Sequence, residues 1–258
     1  AKKVLDICLR NKIKLPIWSN HGSNKNFQNI GHKKLTNYQD GDNPNSKSYH
    51  LDYTKKIGCE WFWVDDGIQL NPDKKEEIIY KEVARDGSEL KLFKRYRGLI
   101  GREAPNCSNF DIQLPINLID KMIENNSCSV IYQHFGVGEK LSNGNFTKST
   151  KPYFSKNSLK IFEYLSKCKK NKSIFIDRAS ELLKYIYIRD NIEFKIKDEN
   201  IILSSKIKIN SKDLKGISFR LKINNFKGKV ILESSNDYKL ISYNFYSESL
   251  NSTILKLL

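Results

Sequence analysis

The chain has 258 residues and carries 45 Lys and Arg against 29 Asp and Glu, a formal net charge of +16. Hydrophobic residues make up 39% and the mean hydropathy is -0.57, so one large domain, or one large and one small, can bury a sizeable core. No apolar run approaches the ~20 residues that cross a bilayer, which leaves no candidate for a membrane-spanning helix.

The charge points first to an anionic partner such as nucleic acid. The lysines, however, run along the whole chain, with short pairs at Lys33-Lys34, Lys74-Lys75 and Lys169-Lys170. Together with abundant Asn and Ile, that spread reads as a compositional bias. No Arg-rich helix or RNA-binding aromatic motif accompanies it, so nucleic acid is not an expected partner. The five cysteines are odd in number and lack a C-x-x-C pair. Cys8, Cys59, Cys128 and Cys168 adjoin apolar runs, where a free thiol acts as a small hydrophobe. A reducing, cytoplasmic setting is expected, and a disulfide or zinc framework is not.

In chain order, residues 1–12 read as an amphipathic helix with Val4, Ile7 and Cys8 on one face. Because Ala1 opens directly into that pattern, a fragment lacking its first elements is expected. Residues 14–20 read as a buried strand opening into a polar segment that contains His21. Residues 21–45 are Asn-rich and too long for a simple connection; loops of that kind are functional or disordered. Ser46–Ile57 reads as a helix with Ser46 as N-cap and Gly58 closing it. Cys59–Val64, CEWFWV, is a second buried strand, ending in Asp65-Asp66-Gly67. Ile78–Tyr96 reads as a hairpin around Asp86-Gly87, with a helix over Lys74–Ala84 as the open alternative.

Pro115–Asn125 reads as a helix started by its proline. Cys128–Tyr132 is a third strand delivering His134, followed by a Gly- and Asn-rich loop to about residue 150. Ser155 caps a helix, Ser173–Asp177 is a fourth strand, and Ala179–Ile188 is a further helix. Short apolar strands alternating with helices imply an α/β fold, a parallel sheet or barrel with helices outside. After about residue 190, Ile192/Phe194/Ile196, Ile207/Ile209 and Ile217/Phe219/Leu221/Ile223 alternate with polar residues. The expected division is therefore 1–190 for the α/β domain and 191–258 for a small antiparallel β domain.

Four histidines are present: His21, His32, His50 and His134. His21 and His134 closely follow strands of the parallel kind, whose carboxyl ends form one functional face. Two strand-end histidines are expected to be neighbours there. His50 stands near a helix start and either points back to that face or faces solvent; His32 is expected at the surface. Asp65 and Asp66 suit metal ligation or base work at a strand end, and equally suit a turn. Arg95, Arg97 and Arg102 cluster before Pro105, where an arginine could orient a carboxylate or bind an acidic sugar. Trp18, Trp61, Trp63, Tyr49 and Tyr153 offer ring faces to a sugar beside the same ends.

Four stretches, WSNHG at 18–22, GDNPNSKSYHLDYTKKIGCEWFW at 41–63, VIYQHFG at 130–136 and LKIFEYLSKCKKNKSIFIDRASELLKY at 159–185, resemble the polysaccharide deacetylase (NodB-homology) superfamily in a divergent branch. The resemblance covers about residues 1–188. It implies an incomplete (β/α)7-type barrel with the antiparallel β region appended. It also implies a divalent metal, with zinc as the expected ion, held by an Asp and two His. His21 is similar to the first histidine of the family's H-[ST]-x-x-H motif. Gly22 and Lys25 break that motif, so His50 becomes the candidate second ligand. His134 looks like the family's late-strand catalytic histidine, and Arg95 or Arg97 like its R-x-P arginine. The T-F-D-D-G motif is absent, and Asp65-Asp66-Gly67 comes too late in the chain to be equated with it.

The activity implied is metal-dependent hydrolysis of the amide of an N-acylated sugar in polysaccharide metabolism. Metal-bound water would be the nucleophile, with a carboxylate as base and His134 as acid. The residues expected to carry it are His134, Asp65, Asp66 and Arg95, with His21 and His50 on the metal. A metal-free barrel acting on glycosidic bonds, or a carbohydrate-binding protein, is the alternative.

Overall fold

The computed structural model describes residues 1–21, 26–98, 109–135, 154–214, 217–221, 226–234, 237–249 and 252–257. Contacts divide the chain into two units, Ala1–Ser180 and Glu181–Leu258.

In the first unit the amphipathic start folds as α1 (Lys2–Arg10), which buries Leu5 and Cys8 against Ile57. Val4 and Ile7, expected on the same face as Cys8, are exposed. Next come β1 (Ile17–Ser19), α2 (Leu51–Lys56), β2 (Trp61–Trp63), β3 (Ile79–Val83) and β4 (Glu89–Phe93). The sheet order is β1-β2-β4-β3. β2 runs parallel to both β1 and β4, while β3 and β4 form the expected antiparallel hairpin. An inner strand is covered on both faces, which is why CEWFWV is apolar without alternation. Trp61 and Phe62 are buried, as are Leu90 and Leu92 of β4 beside them.

The (β/α)7-type barrel is corrected by this topology: the sheet is open, β1 and β3 are its edges, and one of its four strands is antiparallel. Two of the strands needed for a barrel do not form. Ser173–Asp177 has no strand, and its Phe175 and Ile176 are exposed. Around Cys128–Tyr132 only a single parallel bridge forms, Tyr96 with Ile131. Helices follow as α3 (Phe110–Gln113), α4 (Ile116–Glu124) and α5 (Lys156–Lys170). Pro115 precedes α4 as expected, and Ser155 caps α5 by accepting from the Ser158 N–H at 3.0 Å. Phe162 of α5 stacks on Phe110 of α3 at 4.8 Å between ring centres.

Between β1 and α2, residues 26–50 contain neither helix nor strand. Side chains there replace the missing ladder bonds, as buried backbone demands. Asn20 Oδ1 accepts from the Ile30 N–H at 3.0 Å, and Asn20 Nδ2 donates to the Ile30 carbonyl at 2.8 Å. Fully buried Asp42 accepts from the Gly31 and Arg85 N–H groups at 2.9 Å each. Arg85 closes the network from the β3–β4 turn, with Nη2 at 2.6 Å from Asp42 Oδ1 and Nη1 at 3.2 Å from Asp40. Gly41 fits because a Cβ there would come within 2.9 Å of the Gln28 and Asn29 carbonyls and of His50 Nε2. The Asn-rich composition of this loop is the means of its order. His32, expected at the surface, is buried within it.

The second unit holds most of α6 (Ala179–Asp190) and the strands β5 (Ile192–Lys197), β6 (Asn200–Ser205), β7 (Ser218–Leu221), β8 (Val230–Ser234), β9 (Asp237–Ile241), β10 (Tyr243–Ser249) and β11 (Ser252–Leu257). They form sheets ordered β5-β6-β8-β9 and β10-β11-β7. Most pairs are antiparallel, but β6 and β8 run parallel, so the appended region is mixed rather than purely antiparallel. Ile201, Leu203, Val230 and Leu232 from one sheet share a core with Leu221 and Leu257 of the other. Ile188 of α6 belongs to that core, which places the division of the chain before the composition shift near residue 190.

Candidate functional site

Three parallel strand ends and one bridged segment meet at one edge of the first sheet. β1 ends in Ser19 and leads to His21, β2 ends in Trp63 and leads to Asp65, and β4 leads to Arg95. Beyond Arg95, the Tyr96 N–H donates to the Val130 carbonyl at 2.8 Å, and the Tyr132 N–H donates to the Tyr96 carbonyl at 2.9 Å. That short parallel pairing carries Tyr132 and His134 to the same edge. The carboxyl ends of parallel strands are where open α/β sheets place ligands.

Arg95 is the centre of the group. Its guanidinium carbon lies 3.2 Å from the centre of the Trp63 ring and 4.0 Å from that of Tyr132. Nη1 donates to Ser19 Oγ at 3.3 Å, tying β4 to the end of β1. Burial pulls its pKa down to about 10, countered in part by the charge of Asp65, so the side chain stays charged at neutral pH.

The Tyr132 hydroxyl is hydrogen-bonded to His134 Nε2, and the two rings meet edge to face at 4.7 Å. Burial lowers the His134 pKa first, and the positive charges of Arg95, Arg97 and His21 lower it further. The imidazole is therefore neutral at pH 7, the form that accepts a proton. Gln113 holds the segment from behind: its Nε2 donates to the Arg97 carbonyl at 3.0 Å and to the Tyr132 carbonyl at 2.6 Å. Gln133 Nε2 donates to Gln113 Oε1 at 2.9 Å, and Gln133 Oε1 accepts from the His134 N–H at 2.7 Å.

The structure thus brings together Arg95 and His134, with His21 close enough to act on His134 by charge and Asp65 on Arg95. His21 and Asp65 are both exposed. Asp66 takes the turn reading: one oxygen accepts from the Ile68 N–H at 3.0 Å and the other from the Tyr80 hydroxyl. His50 does not serve the strand-end face. Its Nε2 is 2.7 Å from the Gln28 carbonyl and its Nδ1 is 2.9 Å from Thr54 Oγ1, so both ring nitrogens are occupied inside the loop.

Of the aromatic residues, Trp63 is at the site, Trp61 is core, and Trp18 donates to Asn20 Oδ1 at 2.8 Å. Tyr49 donates to Asp86. Tyr153, Arg102, Pro105, Cys107, Gly22, Lys25 and the loop at 136–150 lie outside the described residues.

Sequence reasoning missed Tyr132 and Ser19. Tyr132 stands two residues before His134, the spacing that puts side chains on one side of extended chain, and that signal was available. The Gln113 clamp carries no sequence signal, because its partners, two backbone carbonyls and the Gln133 amide, lie 16–20 residues away along the chain.

Among the described residues, the metal set that the resemblance implies is not brought together. His50 has no nitrogen to offer, and among the described residues no group of three or more His, Cys, Asp and Glu side chains could hold a metal ion. Among the described residues no helix is long and apolar enough to cross a membrane. Compared with known proteins, the chain matches no family model, no curated sequence and no solved structure.

Proposed function

We propose that the chain is a carbohydrate-directed hydrolase of the deacetylase kind, removing an N-acyl group from a sugar at the strand-end edge of its first sheet. The observation that carries the reading is His134, neutral at pH 7, hydrogen-bonded to Tyr132 and one side chain away from an arginine stacked between two aromatic rings. Exposed parts of such rings suit the apolar face of a sugar, and a neutral imidazole suits proton transfer.

In this reading no step runs through a metal. Water adds through its oxygen to the amide carbonyl carbon while its proton passes to His134. Arg97, which also acts on His134 through its charge, favours the oxyanion that forms. The C–N bond then breaks, and the imidazolium gives its proton to the departing amine. A free carboxylic acid and an amino sugar result. His134 is base first and acid second, as the order of protonation requires.

The test is release of acid and free amine from N-acetylated oligosaccharides. His134→Ala is expected to lower turnover about a hundredfold or more. Saccharide binding with no turnover by the wild-type chain would overturn the hydrolase reading in favour of a carbohydrate-binding protein.

A further inference from the structure

We propose that the saccharide carries an anionic group, a carboxylate or a phosphate, and that Arg95 is its seat. The inference rests on the carbohydrate-directed reading above and names the class of sugar within it.

Arg85 and Arg95 make the contrast. Arg85 is saturated, with Asp42, Asp40 and the Gln39 carbonyl around its guanidinium. The Arg95 guanidinium has Ser19 Oγ as its one hydrogen-bond partner among the described residues, and its buried Nε has none. No ion pair within 4.0 Å joins it to a described carboxylate, and Asp65 acts on it only through space. A buried cationic donor left unpaired is costly, and an arriving oxyanion removes that cost.

Geometry limits where the anion enters. Trp63 and Tyr132 lie against the guanidinium, so further hydrogen bonds form in its plane, at its edge. Nε is shielded from solvent and Nη1 gives one of its two protons to Ser19, so the donors left to an arriving carboxylate or phosphate are those at the Nη1 and Nη2 end of the guanidinium. The surrounding charge agrees: Arg95 and Arg97 outweigh the exposed Asp65. The same rings suit the sugar that bears the anion. The site therefore reads an acidic sugar, with the aromatic faces taking the ring and Arg95 taking the charge.

The experiment is calorimetric titration of the full chain with three matched probes: a uronic-acid oligosaccharide, its neutral counterpart and a sugar phosphate. At least one anionic probe is expected to bind about tenfold or more tightly than the neutral one, and the stronger of the two identifies the anion. The preference should fall as salt rises. Arg95→Gln should remove the preference, and Arg95→Lys should restore only part of it. The wild-type preference stands as a test even if a variant fails to fold. Equal binding of all three probes overturns the inference and leaves the carbohydrate reading intact. Binding of none overturns both.

Discussion

The guanidinium of Arg95 lies over Trp63, with 3.2 Å from its carbon to the centre of the ring. The contact joins the ends of β4 and β2, and through Ser19 it also reaches β1. Removing the ring frees the arginine and takes away a sugar-facing surface together. Trp63→Leu should weaken binding of neutral and acidic saccharides alike by about tenfold, read by calorimetry.

The pH dependence of turnover follows from His134. Its pKa is held below the usual 6.5, so the acid limb of kcat/KM should lie below pH 6.5, with activity falling as the base becomes protonated. Arg95 is one of the charges responsible. Arg95→Gln should therefore move the limb upward toward 6.5, measured on a neutral substrate. A purely structural role for Arg95 would change the rate and leave the limb in place.

Arg85 and Asp42 hold the long loop to the β3–β4 turn, and Asp42 is fully buried. Arg85→Ala leaves that carboxylate without its cation and should cost about 3–5 kcal/mol. All three tryptophans lie between residues 18 and 63, so urea unfolding followed by their emission reports the first unit. Lys81→Ala is the control. Its pair with Glu89, in the same unit, is exposed on both sides and should change stability by less than about 1 kcal/mol.

His50 sets an acid limit on the same unit. Burial lowers its pKa in the folded chain, against 6.5 when unfolded, so below pH 6.5 the unfolded state binds more protons. Its share of stability is present above pH 6.5 and is lost as pH falls from there toward the folded value. The urea midpoint of wild type should drop over that range more steeply than that of His50→Gln.

How much of this could be read from the residues divides by distance along the chain. Strand ends are local signals, and the apolar runs ending at Ser19, Trp63 and Tyr132 carry His21, Asp65 and His134 to one edge. The barrel could not be excluded locally. SIFID has the letters of a buried strand, but no neighbour pairs with it among the described residues, and its Phe175 is left exposed. His50 shows the same limit. A histidine at a helix start faces either way until its partner is known, and that partner is a carbonyl 22 residues earlier. The order of the long loop was not legible in its length, because length says nothing of Asp42 and Asn20, whose side chains stand in for a strand's hydrogen bonds.

The strand-end site is tested most directly by the indole N–H resonances of the three tryptophans during titration with an N-acetylated acidic saccharide. Trp63 should shift with saturation, while Trp18, bonded to Asn20, and buried Trp61 stay in place. Saturable binding that leaves Trp63 unmoved, or that moves Trp18 or Trp61 instead, would contradict the placement of the site.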